Sequence, residues 1–336
     1  MERLKFSILL PVYNGEDILG EALRSILSQS FTDYELIICD DASTDGTVEL
    51  VKSFFDSRIK LFVNDKNFGY PGNLENCRQK ASGDILYLMG QDDVLRKGLL
   101  QDTYDIFAKD EEIGAVTRPF FWFDESVKKP VRVTPQLNPK RDETVRVTDD
   151  FERVFAVFKT LGQLSGLALR VEFIDRPFHP DIFPSHIYPF ASVFKNHPIV
   201  FLKDYSVAVR IGSSQTRKIS SIYEKSPLQS WIKMFEEVFC EDRFEELREY
   251  AVQNFAANDY LGLIQIRNYA RYRCLLREIG LFLKYRPLNF IDPRFWFFAL
   301  GTMIMPPFLL IPLVDWYKNT VGAKNYENYF SFQPAF

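Results

Sequence analysis

The stretch that decides the fold is Lys5–Asp45, KFSILLPVYNGEDILGEALRSILSQSFTDYELIICDDASTD. It opens with an apolar run, Phe6 to Val12, too short for a buried helix and bounded by Pro11 and Asn14-Gly15. That pattern predicts an interior strand ending in a turn. Ile18, Leu19, Ala22, Leu23, Ile26 and Leu27 then recur at helical spacing. Glu16 and Asp17 stand near the start of that helix, where its dipole favours negative charge. A second apolar run, Leu36 to Cys39, stops at Asp40-Asp41. Strand, helix, strand at this length is the βαβ unit of a parallel sheet, with a right-handed crossover. Open α/β sheets bind ligands outside the carboxyl ends of their strands, where Pro11-Val12-Tyr13 and Asp40-Asp41 both fall.

Downstream, a helix from Asp45 to Phe55, a strand from Ile59 to Val63 and a loop from Asn64 to Asn73 are expected. A helix from Leu74 to Ala81 and a strand from Ile85 to Met89 follow, the strand ending at Gly90-Gln91-Asp92-Asp93. A helix from Lys97 to Lys109 and a strand from Ala115 to Phe123 complete this half. One acidic pair is an ordinary turn or cap feature. Two pairs at one sheet edge beside Pro-Val-Tyr point to a ligand.

These residues resemble the amino-terminal signature of the family 2 glycosyltransferases. The matching pieces are Pro11-Val12-Tyr13-Asn14, Ser25-Ile26-Leu27-Ser28-Gln29-Ser30 and Asp40-Asp41-Ala42-Ser43-Thr44-Asp45, where the family usually has Asp-Asp-Gly-Ser-x-Asp. The resemblance covers roughly the first third of the chain. It implies an α/β fold of glycosyltransferase A type, a Rossmann-like, mostly parallel sheet flanked by helices, with a helical C-terminal extension. It further implies a nucleotide-diphosphate sugar donor, Pro11, Val12 and Tyr13 beside the nucleobase, Asp41 hydrogen-bonded to that base, and Asp92 and Asp93 serving ribose and metal. A diphosphate calls for a hard cation, Mg²⁺ or Mn²⁺, held by oxygen ligands and easing departure of the leaving group.

The chain departs from the family pattern in three places. Gly90 replaces the first acid of the Asp-x-Asp motif. Asn67-Phe68-Gly69 fits the family's Asn-x-Gly, but Leu74 stands where an Arg is usual; Arg78, one turn on, is the substitute candidate for the nucleotide. No Glu-Asp pair occurs in the window that usually supplies the catalytic base. That window holds His186, the first candidate, whose reference pKa near 6.5 suits a base at neutrality, and Asp181, the second. Gly162 to Arg170 resembles the turn and strand bordering the acceptor. Arg210 and Ser213 to Gln215 are read as diphosphate contacts by the same resemblance.

The chain has 336 residues and a net charge of −4, which argues against nucleic acid as the main partner. Cys39, Cys77, Cys240 and Cys274 lack metal-type spacing and read as buried thiols of a reducing compartment. No secretory leader precedes the first strand, which sets the cytosolic side of the membrane as the expected location. Asp124 to Asp150, charged and Pro-punctuated, reads as a mobile surface excursion; Asp149 to Thr160 reads as helix and Val200 to Ile211 as a strand pair.

The expected domains are 1–225, nucleotide-sugar-binding and catalytic, and 226–336, helical. Helices are expected over Leu228–Cys240, Phe244–Ala256 and Tyr260–Ile279. Phe295 to Val314 is uncharged and long enough to span a bilayer, but Pro306, Pro307 and Pro312 break its second half. It reads as a membrane-surface or re-entrant anchor, with a core or homo-oligomer contact and a true span as alternatives. The whole reads as an inverting glycosyltransferase acting on a glycan or lipid-linked acceptor in cell-surface polysaccharide assembly. A nucleotidyltransferase is disfavoured because Asn14-Gly15-Glu16-Asp17 lacks a basic Gly-rich loop. The rival outside catalysis is an inactive nucleotide-sugar-binding or scaffold protein of the same fold.

Overall fold

The structure, a computed structural model, describes residues 4–124, 126–212, 220–317 and 332–336. They form two compact units, one of residues 4–211 with 332–336 and one of residues 212–317.

In the first unit, β1 (Phe6–Val12), α1 (Leu19–Leu27) and β2 (Tyr34–Asp40) realise the predicted βαβ motif. α2 (Thr47–Lys52), β3 (Ile59–Val63), α3 (Gly69–Lys80) and β4 (Ile85–Leu88) follow. β5 (Val94–Leu95), α4 (Leu99–Lys109), β6 (Ala115–Thr117), β7 (Phe120–Phe123), β8 (Pro130–Val133) and β9 (Glu143–Val145) come next. α5 (Phe151–Phe158), β10 (Ala168–Arg170), α6 (Ile187–Phe194), β11 (Ile199–Phe201) and β12 (Val207–Arg210) close the unit. The main sheet has eight strands in the order β3-β2-β1-β4-β10-β6-β11-β9. β1, β2, β3 and β4 run parallel, whereas β10 is antiparallel to both its neighbours. A second sheet has the order β5-β12-β7-β8.

β1 is buried nearly throughout, as expected of a central parallel strand covered on both faces. Phe6, Ile8, Leu10 and Val12 share one face and pack with Leu19, Leu23 and Ile26 of α1 in the main core. At the far end of the sheet Glu35 is held by Ser7, Ser82 and Lys60. Burial raises its pKa, but those hydrogen bonds outweigh burial and bring it down to about 2.

Three expectations for this unit need correction. The run Ala115–Phe123 is two strands in different sheets, parted at Arg118-Pro119, because proline cannot donate to a ladder. Residues 124–150 are not one loop: β8 and β9 pair into the two sheets as edge strands, and Pro130 opens β8 where a missing donor is tolerated. Cys240 is exposed, while Cys39, Cys77 and Cys274 are buried free thiols.

The second unit contains α7 (Pro227–Val238), α8 (Glu245–Tyr250), α9 (Leu261–Tyr269), α10 (Tyr272–Tyr285), α11 (Pro293–Ile304) and α12 (Pro307–Tyr317). The Ser226 side chain caps α7 by accepting from the Gln229 N–H at 3.1 Å. The helix expected over Tyr260–Ile279 is broken at Ala270 and Arg271, both extended. The apolar run 295–314 is likewise two helices. Met305 is extended because a residue before proline is driven from the helical region. Among the described residues no helix is long and apolar enough to cross a membrane, which corrects the spanning alternative.

Ala42 stands in the left-handed region with φ of 59°, where the family pattern has Gly. Ala42→Gly is expected to raise stability by about 1 kcal/mol in urea denaturation; a loss would show that the turn does not strain this residue.

Candidate functional site

Tyr13, at the end of β1, is 40% exposed, and its backbone is clamped by the Gln91 amide. The Tyr13 N–H donates to Gln91 Oε1 at 2.8 Å, and Gln91 Nε2 donates to the Tyr13 carbonyl at 3.1 Å. A Cβ on Gly15 would lie 3.0 Å from Gln91 Oε1, so glycine leaves room for that amide. On the other side of β1, the Asp41 N–H donates to the Val12 carbonyl at 2.9 Å. Because β1 lies between β2 and β4, the two acidic pairs flank its end.

The first pair divides its work. Asp40 is fully buried and builds the turn, accepting from the Ser43 N–H at 2.9 Å and the Ser43 hydroxyl at 2.5 Å. Asp41 faces the next loop. Its Oδ1 accepts from the Phe68 N–H and Asn64 Nδ2, and its Oδ2 from the Gly69 N–H, each at 2.9 Å. These backbone donors are the unsatisfied ones at the start of α3, so a carboxylate from the neighbouring strand caps the helix and meets its dipole. This is why α3 begins at Gly69 rather than at Leu74; Pro71 sits in the first turn, where no amide donor is needed. Asn67 Oδ1 also accepts from the Gly69 N–H at 2.9 Å, and Gly69 adopts φ of 74°. A carboxylate offers about four acceptor positions, and Asp41 uses three within the chain.

Among the described residues no contact brings Arg78 to this rim. Its Nε and Nη2 donate to Glu75 at 2.8 and 2.5 Å, and Glu75 also accepts from the Phe178 N–H at 3.2 Å. Arg78 and Glu75 thereby tie α3 to the segment preceding α6.

Asp92 is half-buried and Asp93 fully buried. Asp93 Oδ2 accepts from the Ser165 hydroxyl and, at 2.8 Å, from Gln163 Nε2; Oδ1 accepts from the Arg210 N–H at 3.2 Å. Ser165 is fixed in turn by the Gly90 N–H, which donates to its Oγ at 2.8 Å. Burial first, and the nearby Asp92 charge second, push the Asp93 carboxyl well above the usual carboxylate range. The fully buried Arg118 stands on the same network, with Nη2 donating to the Gln163 carbonyl at 2.9 Å. Burial brings the Arg118 guanidinium down to about 10. A Cβ on Gly90 would lie 3.0 Å from Asp93 Oδ2 and 3.2 Å from Asp92 Oδ1. Both carboxylates therefore close over the bare Cα at the position where the family pattern has its first acid.

Among the described residues no group of three or more His, Cys, Asp and Glu is placed to hold a metal ion. Magnesium sites at diphosphates need only one or two carboxylates, the substrate oxygens and water completing the shell. Asp92, with Asp93 behind it, fits that smaller donor set.

His186 precedes α6 and is buried. Its Nε2 lies 2.8 Å from the Leu161 carbonyl, so that nitrogen carries the proton; Nδ1 then accepts from the Tyr70 hydroxyl at 3.1 Å. Burial lowers its pKa to about 4, which leaves a neutral, weakly basic imidazole. Asp181 lies in the same segment and accepts from the Phe183 N–H at 3.2 Å. The Arg210 side chain pairs with Glu21 and covers the Phe123 ring at 4.6 Å. Ser213 to Gln215 lie outside the described residues.

Gln91, Gln163, Ser165 and Arg118 are the site residues that sequence reasoning missed. The available signals were a lone Arg inside an apolar run and the polar side chains of the turn at 162–166.

Comparison with known proteins agrees with this architecture. Residues 7–162 match the family described as Glycosyl transferase family 2. Through this region, a little under half of its length, the chain carries the family 2 glycosyltransferase signature. EpsE of Bacillus subtilis, named as a glycosyltransferase, is 35% identical over 136 residues, covering 40% of this chain and 49% of that protein. The Escherichia coli UDP-Glc:alpha-D-GlcNAc-diphosphoundecaprenol beta-1,3-glucosyltransferase WfgD is 36% identical over 94 residues, 28% of this chain and 37% of that protein. The chain thus spans about half or less of the length of these curated relatives. In fold, the Staphylococcus aureus TarS fragment 1–349 in complex with UDP aligns with a TM-score of 0.64 and 17% identity, over 98% of this chain and 94% of that one. A Pyrobaculum calidifontis mannosyltransferase in complex with GDP-Man and Mn²⁺ aligns with a TM-score of 0.53 and 15% identity, over 90% and 88%.

Asp41→Asn sets an amide NH2 against the donors of one of the two oxygens and removes the charge that caps α3. The expected loss is about 1–2 kcal/mol of unfolding free energy in denaturant titration; unchanged stability would contradict the capping role.

Proposed function

We propose that this chain is an inverting glycosyltransferase, moving a sugar from a nucleotide-diphosphate donor to a hydroxyl of a lipid-linked or polymer-borne glycan acceptor. Cell-surface polysaccharide assembly at the cytoplasmic face of the membrane is the proposed setting. The observation that carries this reading is the pair of acidic turns, Asp40-Asp41 and Asp92-Asp93, on either side of the exposed Tyr13. WfgD, named for a diphosphoundecaprenol acceptor, and TarS, solved in complex with UDP, support the choice of substrates.

In this reading the nucleobase lies against Val12 and Tyr13 and donates one ring N–H to the remaining acceptor position of Asp41. The diphosphate crosses the end of β1 towards Asp92. A bound Mg²⁺ or Mn²⁺ held by Asp92 would supply positive charge to the departing diphosphate. Asp93, fixed by Ser165 and Gln163, sets the position of its neighbour. The acceptor oxygen attacks the anomeric carbon from the face opposite the diphosphate, so the configuration inverts. The bond to the diphosphate breaks with its electron pair, and the acceptor proton passes to a base in the segment before α6.

The low basicity of His186 and the engagement of both its nitrogens reverse the order of the two candidates, making Asp181 the proposed base. The Tyr70 contact favours His186 as the second reading, since it joins that imidazole to the first turn of α3 beside Asp41.

Release of nucleoside diphosphate from UDP-sugars, with membrane extract as acceptor, tests the proposal. Turnover is expected to need Mn²⁺ or Mg²⁺ and to stop on chelation. Asp92→Asn should lower it by about two orders of magnitude or more. Donor binding without release, unaffected by Asp92→Asn, would return the scaffold reading. Asp181→Asn should reduce kcat about 10²–10⁴-fold with little change in donor KM; the same loss in His186→Gln instead would move the base to His186.

A further inference from the structure

α11 turns Phe295, Ala299 and Thr302 inward, at spacings of one helical face. The opposite side carries Phe297, 74% exposed, with Leu300 and Ile304, the latter 79% exposed. α12 continues the apolar surface with Phe308, Leu309 and Leu313, all exposed. No charged residue occurs between Arg294 and Asp315. Folded soluble chains rarely leave so continuous an apolar surface open without a partner for it.

The charge around this surface selects the partner. Residues 261–317 hold seven Arg and Lys against three Asp and Glu, in a chain whose net charge is −4. Arg267 Nε donates to the Met305 carbonyl at 3.0 Å and stands over the Tyr272 ring, while the Tyr272 hydroxyl donates to the Met303 carbonyl at 3.3 Å. The basic start of α10 therefore abuts the junction of α11 and α12. There the side chains of Arg271 and Arg273, 68% and 66% exposed, share the single carboxylate of Glu224. Arg294 is exposed at the other end of α11, and Trp316 and Tyr317 are exposed at the end of α12, residue types that favour a membrane interface.

We infer that the outward face of α11 and α12 docks on an anionic lipid bilayer and lies along its interface. α11 has 12 residues, about 18 Å of helix, against about 30 Å of hydrocarbon, so it rests in the headgroup boundary. A second copy of this chain would bring like charges together around the contact, whereas anionic headgroups complement them. The inference uses no residue of the donor site, so its failure would leave the transfer reading untouched.

Flotation of the full chain with vesicles tests it. Binding to phosphatidylcholine vesicles containing phosphatidylglycerol is expected to exceed binding to phosphatidylcholine alone by roughly tenfold. Phe297→Glu with Ile304→Glu should abolish binding while melting temperature and UDP-sugar affinity stay unchanged. Arg271→Gln with Arg273→Gln should bring the two vesicle types closer together. A wild-type chain that stays off both vesicles overturns the inference. So does a Phe297→Glu/Ile304→Glu chain that still floats but has changed from dimer to monomer in sedimentation velocity, which would give the face to a second copy.

Discussion

The site depends on the register of three parallel strands. β1 pairs with β2 so that Pro11 faces Cys39 and Val12 faces Asp40, which brings Asp41 level with Tyr13. β4 runs on the other side of β1, with Leu9 opposite Leu88, and stops lower. The turn from Met89 to Asp93 climbs back to the rim, where the Gln91 amide meets the Tyr13 backbone. A slip of one residue would send Asp41 or Tyr13 to the opposite face. The continuous apolar sequences of β1 and β2, buried on both faces, hold the register by packing as well as by hydrogen bonds.

That frame gives the two acidic turns unequal chemistry. Asp41 is engaged by a helix terminus, an arrangement that aims the carboxylate. Asp93 is sealed beneath the rim, and its burial would be prohibitive without the Ser165 hydroxyl, the Gln163 amide and the buried Arg118 guanidinium on the same network. Asp92 is left as the half-buried carboxylate of its pair. Gly90 belongs to the same logic. A side chain there would press on the two carboxylates and on Ser165, so the departure from the family's Asp-x-Asp pattern goes with tight packing of this turn.

Much of this was legible in the chain. The apolar runs of β1 and β3 have the boundaries their composition predicts: β1 is an interior parallel strand marked by its unbroken apolar run, and β3 is a short edge strand of the same sheet that stops before Asn64. The start of α3 was not legible, since its cap comes from Asp41, far off in sequence, and local composition reads Asn67 to Asn73 as loop. β8 and β9 escaped for a similar reason: strands of three or four residues are specified by the sheet edges they join. Arg118 stood visibly in an apolar run, yet only the fold brings it to Gln163 and Asp93. The roles of His186 and Arg78 turn on hydrogen-bond partners, Tyr70 with Leu161 and Glu75 respectively, that no spacing rule names.

We propose that the turns after β2 and β4 grip the two ends of one nucleotide. A crystal structure of the chain soaked with a nucleoside diphosphate and Mn²⁺ tests it most directly. The base is expected against Tyr13, with a ring N–H on Asp41, and the diphosphate with its ion at Asp92. A nucleotide bound elsewhere, or one touching a single turn while the other stays in water, would contradict it.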